Sequence, residues 1–256
     1  MQQCSGFLYK WACQEVHSSK AFTQPPKGLR IGSLDVLLST YMSQNPTIRM
    51  GERLTIGYGK PLAGCDRELS LEAGTHYLLA RNGRGKTTLL RTLSGTLRPV
   101  AGSFEIDGHI HYMAEDLSFD KDLPASTIFR AMLPGKHRRA AFDLADEIEL
   151  DLGKPYGKLS TGNRRKVSLV LAEYSIRDGH GEVLFLDEPF SGLDATCREI
   201  FEKRWRETND RTLRLVSCHP DYDRMSISSA LLIHHDKIHH LAGSEQSWQD
   251  LCSLLN

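Results

Sequence analysis

The segment Tyr77-Leu78-Leu79-Ala80-Arg81-Asn82-Gly83-Arg84-Gly85-Lys86-Thr87-Thr88-Leu89-Leu90 constrains the fold more than any other part of the sequence. It reads as an apolar strand, a glycine-containing turn, and a Gly-Lys-Thr that opens a helix whose Leu89, Leu90 and Leu93 share an apolar face. Polyphosphate needs this arrangement: glycines let successive backbone N–H groups turn inward as an anion nest, and the helix N-terminus adds its positive dipole end. Lys86 then supplies a compact charge for the terminal phosphates and Thr87 a hydroxyl for Mg²⁺. Ala80, Arg81, Asn82, Gly83, Arg84, Gly85, Lys86, Thr87 and Thr88 are the expected phosphate contacts. The pattern Gly-x-x-x-x-Gly-Lys-[Ser/Thr] is broken only at its first position, where the Cβ of Ala80 is awkward if that residue must take positive φ.

Farther along comes Val183-Leu184-Phe185-Leu186-Asp187-Glu188-Pro189, a buried-type strand ending in two carboxylates. A phosphate-binding loop requires a carboxylate at the tip of a neighbouring parallel strand to complete the Mg²⁺ shell, and Asp187 fits. Glu188 suits a different task. A general base must stand beside the terminal phosphate without being consumed as a metal ligand, so Glu188 is the candidate to orient and deprotonate the attacking water.

Around these motifs the chain alternates strand-like and helix-like pieces, the mark of an α/β architecture with a mostly parallel sheet. Strands are expected over 53–58, 75–80, 103–106, 109–113, 183–187, 213–217 and 230–234. A mainly helical stretch is expected over 125–178, with breaks at Leu133-Pro134-Gly135 and Gly153-Lys154-Pro155. Residues 1–41 show no sustained periodicity and read as an extension, or as sequence upstream of a start at Met42; the organised domain is expected over 42–256.

Composition narrows the function classes. Lys+Arg and Asp+Glu are balanced at 32 each, which argues against a nucleic-acid partner, since that role needs a basic excess. No stretch reaches the ~20 apolar residues of a bilayer span, and Phe7-Leu8-Tyr9 is too short for the core of a secretory signal. The six cysteines form no Cys-x-x-Cys pair, so neither a zinc site nor a disulfide framework is expected. His234, His235, His239 and His240 flank an Asp236-Lys237 turn and read as hairpin surface, not as metal ligands. Arg164-Arg165-Lys166 reads as a solvated or partner-facing helix face.

Several further segments occur in a fixed order. Leu159-Ser160-Thr161-Gly162-Asn163-Arg164-Arg165-Lys166 precedes the acidic strand and resembles the Leu-Ser-Gly-Gly-Gln signature of the ATP-binding cassette (ABC) ATPases. Ser191-Gly192-Leu193-Asp194 is similar to their D-loop and Ser217-Cys218-His219-Pro220 to the segment bearing the switch histidine. Tyr58 stands where the family's aromatic A-loop residue stacks on adenine, and Ile110-His111-Tyr112-Met113-Ala114-Glu115 aligns with the Q-loop. The resemblance covers roughly residues 47–251.

That resemblance implies a P-loop NTPase core with an antiparallel β subdomain and a small helical subdomain inserted near 116–178. It implies ATP and Mg²⁺ as cofactors, His219 as γ-phosphate sensor, and Ser160, Gly162 and Asp194 acting across a head-to-tail cassette dimer. Glu115 would replace the Q-loop glutamine near Mg²⁺, while Thr161 and Asn163 depart from the signature's glycine and glutamine. The expected function is the ATP-hydrolysing subunit of an ABC transporter, on the cytoplasmic membrane face with separate permease subunits and a homodimeric or second ATPase partner. The compact run between Glu115 and Leu159 leans toward export-type cassettes. A soluble ABC ATPase serving a cytosolic assembly machinery is the alternative. A DNA-repair ATPase of this superfamily is disfavoured, because its long coiled coil has no room here.

Overall fold

The computed structural model describes residues 45–176, 181–207, 211–218 and 226–255. The segment 1–41, including the Met42 boundary, lies outside them, as do His219 and Pro220. The strands are β1 (Thr47–Met50), β2 (Thr55–Gly57), β3 (Pro61–Gly64), β4 (Leu69–Leu71), β5 (Gly74–Ala80), β6 (Phe104–Asp107), β7 (His109–Met113), β8 (Glu182–Leu186), β9 (Thr212–Cys218), β10 (Ser226–His234) and β11 (Lys237–Ser247). The helices are α1 (Lys86–Leu93), α2 (Ala125–Met132), α3 (Arg138–Glu147), α4 (Thr161–Tyr174), α5 (Ala195–Glu207) and α6 (Trp248–Ser253).

Eight strands form one sheet in the order β2-β3-β11-β10-β5-β9-β8-β7, parallel from β10 through β7. A separate antiparallel sheet, β4-β1-β6, covers part of it. The expected α/β class with a mostly parallel sheet and an antiparallel portion is therefore observed.

The parallel strands are buried on both faces, and their residues divide by parity. Leu78 and Ala80 of β5, Phe185 of β8 and Leu215 of β9 pack with α1 and with Ile48 and Met50 of β1. Their neighbours Leu79, Leu186 and Val216 face the other way, onto a core built with α2 to α5. Burying Leu89, Leu90 and Leu93 of α1 completely fixes the helix that begins at the phosphate turn against the strand that leads into it.

Between β7 and β8 the chain runs through α2, α3 and α4. Pro134 pushes Leu133 into the extended region (φ −89°, ψ 142°), which ends α2 where the sequence marked a break. Three short strands, β1, β3 and β4, were not expected. The hairpin β10–β11 turns on His235 and Asp236, both left-handed (φ 44° and 64°), one residue before the expected turn.

Candidate nucleotide site

β5 ends at Ala80, which pairs with Ile233 of β10 and is not among the residues of positive φ. The alanine thus sits in extended backbone, and its Cβ costs nothing there. The turn places Gly83 (φ 75°) and Gly85 (φ 109°) in conformations that L side chains resist. Gly85 has a second constraint, since a Cβ there would lie 3.0 Å from Leu62 Cδ2. Lys86, the first residue of α1, is buried and folds its ammonium back to donate to the Ala80 carbonyl at 3.3 Å.

The same ammonium lies 3.2 Å from Glu188 Oε1. Asp187 and Glu188 follow directly on β8, between β7 and β9 in the sheet. Asp187 is fully buried, and hydroxyls orient both its oxygens. Thr87 Oγ1 donates to Oδ1 at 3.2 Å, Ser217 Oγ to the same oxygen at 2.9 Å, and the Tyr112 hydroxyl to Oδ2 at 3.3 Å. Ser217 Oγ also accepts from the Glu188 N–H at 2.8 Å. Glu188 has φ 48°, a costly conformation for a residue other than glycine, and this bond helps hold it. Burial, with the Asp187 charge second, pushes the Tyr112 phenol well above its ordinary range, so the hydroxyl remains a donor.

Asn82, Gly83, Gly85, Lys86, Thr87, Thr88, Glu115, Glu188, Ser191 and Gly192 line one cleft of about 540 Å³. The phosphate turn, the acidic strand end, Glu115 and the Ser191-Gly192 segment therefore converge. Tyr58 is exposed at 60% of its surface, and its hydroxyl accepts from Arg91 Nη1 of α1 at 3.2 Å. Arg81 and Arg84 are exposed on the turn.

Ser160 caps α4 by accepting from the Asn163 N–H at 3.2 Å. Gly162 is pressed against the cleft's rim, because a Cβ on it would meet the Gly192 carbonyl at 2.5 Å. Asp194, exposed, caps α5, accepting from the Cys197 N–H at 2.7 Å, with Lys166 Nζ 3.7 Å from its other oxygen. That N–H bond is the first reason its carboxyl titrates below the ordinary value. The run expected to be a solvated or partner-facing helix face instead holds loops: Arg164 donates to the Gly157 carbonyl, Arg165 to that of Glu115 and Lys166 to that of Ile148.

Ser217, Tyr112 and Arg91 carried no functional reading in the sequence. Their parity on β9, β7 and α1 was available, but each acts through a partner distant in the chain. Among the described residues no helix is long and apolar enough to cross a membrane, and no group of three or more His, Cys, Asp or Glu could hold a metal ion.

Comparison with known proteins adds four findings. The family model described as ABC transporter matches residues 66–191. The manganese transport system ATP-binding protein of Listeria innocua is 26% identical over 197 residues, covering 68% of this chain and 80% of that protein. The aliphatic sulfonates import ATP-binding protein of Burkholderia thailandensis is 30% identical over 200 residues, 71% of this chain and 56% of that protein. Among solved structures, a bacterial Atm1-family ABC exporter with ATP bound superposes with a TM-score of 0.65 at 18% identity, over 82% of this chain and 40% of that one. At that identity the likeness is one of fold.

Proposed function

We propose a motor role for this chain from one premise: it belongs to the ATP-binding cassette proteins, the ATP-hydrolysing subunits of ABC transporters. The observation that carries the proposal is the convergence of Lys86, Thr87 and Glu188 in one cleft at the mouth of a glycine turn, with the buried Asp187 carboxylate 3.2 Å from Thr87 Oγ1. Thr87 and Asp187 offer a hydroxyl and a carboxylate, hard oxygen donors of the kind Mg²⁺ takes. They would hold the ion, which when bound neutralises charge on the β- and γ-phosphates.

The protein's own residues do the rest. Backbone N–H groups from Gly83 to Thr88 and the start of α1 hold the phosphates. Lys86 exchanges its pairing with Glu188 for the phosphate oxygens. Glu188, so released, orients the attacking water and takes its proton. Tyr58 stacks on adenine, and Glu115, which lines the cleft, would offer a further carboxylate toward the ion. Ser160 and Gly162 serve the site of a facing cassette, and His219 contacts the γ-phosphate. The cassette pairs with a second copy or a related ATPase and sits at the cytoplasmic membrane face by docking on separate permease subunits.

Direction is a finer matter. The compact insertion supports an export-type cassette, whereas the sulfonate relative is named for import. Glu188→Gln incubated with ATP tests the motor reading: a dimer on sizing supports it, and a monomer at saturating ATP contradicts it. Co-purification with a polytopic membrane protein tests the partner, while its absence beside a soluble complex favours an assembly machinery.

A further inference from the structure

One guanidinium stands between Tyr58 and the tyrosine that donates to Asp187. Arg91 projects from α1 and donates through Nη1 to the Tyr58 hydroxyl at 3.2 Å, and its charge also acts on the nearby Tyr112 hydroxyl. Tyr112 donates its own hydroxyl hydrogen bond to Asp187 Oδ2 at 3.3 Å. The polarity is consistent: arginine only donates, the Tyr58 oxygen accepts from it, and the phenol O–H of Tyr112 donates to a carboxylate that only accepts. Neither Tyr112 nor Arg91 lines the phosphate cleft, so their effect on a nucleotide must run through the groups they hold.

We propose that Tyr112 is a positioning residue for the Mg²⁺ carboxylate and that Arg91 links it to Tyr58, so that adenine seating and metal binding are coupled. The proposal rests on the reading of the cleft as an MgATP site. Physically, Asp187 has hydroxyl donors on both oxygens, and that fixes the plane of the carboxylate. Removing the donor on Oδ2 frees the group to rotate about its Cβ–Cγ bond, so the ion meets a ligand that must first be ordered. When adenine seats on Tyr58, it fixes the phenol, and through it the Arg91 fork and the Tyr112 hydroxyl.

The test is calorimetric titration of ATP and of inorganic tripolyphosphate, each in EDTA and in Mg²⁺, into wild type, Tyr112→Phe and Arg91→Met, with thermal melts confirming folding. Tyr112→Phe is expected to keep its EDTA affinity for ATP while the gain on adding Mg²⁺ shrinks by about tenfold to a hundredfold, the worth of one hydrogen bond to a charge. Arg91→Met is expected to lose the excess of that gain for ATP over tripolyphosphate. An unchanged Mg²⁺ gain in Tyr112→Phe, or equal weakening in EDTA and Mg²⁺, overturns the positioning role. An unchanged ATP-to-tripolyphosphate ratio in Arg91→Met overturns the link. If wild type binds neither ligand, the MgATP reading itself falls, a result separate from either.

Discussion

Lys86 Nζ lies 3.2 Å from Glu188 Oε1, so the charge proposed to meet phosphate and the carboxylate proposed as base neutralise each other. Both side chains are largely buried, and a phosphate entering the cleft competes with the carboxylate for the same ammonium. Glu188→Gln removes that competitor. ATP is expected to bind about threefold to tenfold tighter, while hydrolysis falls by roughly 10² to 10⁴ for want of a base. Equilibrium binding and phosphate release measured on the same preparation check both directions together.

Ser217 acts on both acids with one hydroxyl, donating to Asp187 and accepting from the Glu188 backbone. Ser217→Ala leaves the Glu188 N–H without that partner and removes a donor from a buried carboxylate. The cost is expected at about 2 kcal/mol of stability, read from urea unfolding. Hydrolysis should fall with little change in nucleotide affinity measured in EDTA.

Gly162 separates two roles of the signature turn. Alanine there would bring Cβ within 2.5 Å of the Gly192 carbonyl, which is backbone and yields poorly. Gly162→Ala is expected to cost about 1–3 kcal/mol through overpacking and to displace the Ser191-Gly192 segment. Tryptic cleavage near Asp194 should quicken, whereas ATP binding to the monomer, measured by fluorescence titration, should hold.

His76 gives the stability a pH dependence unconnected with the cleft. Its Nε2 bonds the Glu72 carbonyl at 2.8 Å, which leaves Nδ1 to accept from Ser229 Oγ at 2.6 Å; Ser229 in turn meets His240 Nε2 at 2.8 Å. Burial lowers the His76 pKa below its ordinary 6.5, with the neighbouring His240 acting in the same direction. The unfolded chain therefore binds more protons just below pH 6.5, so stability is complete above that value and is lost as pH falls beneath it. Urea midpoints followed downward from neutral pH should decline, and His76→Gln should flatten the decline.

What the sequence revealed was local. The Gly-Lys-Thr turn, the leucines of α1 and the apolar run into Asp187-Glu188 each carry their signal within one element, and the structure places them together. What it concealed was pairing at a distance. Ser217 is read as a strand residue until β9 is set beside β8, and Tyr112 as a core aromatic until β7 flanks β8 on the other side. Arg214 shows the same limit: it lies in a strand with every residue buried because Glu173 of α4 meets its guanidinium at 3.1 Å, a contact no periodicity announces. The strands β1, β3 and β4 escaped notice, although β2 and β6, equally short, did not.

The central claim is that the cleft at Lys86 binds ATP. Calorimetric titration of ATP with Mg²⁺ into wild type and Lys86→Ala tests it most directly. Saturable binding in wild type that vanishes in the variant, with an unchanged thermal melt in the absence of ligand, is the expected result. Equal affinity in the two proteins would contradict it.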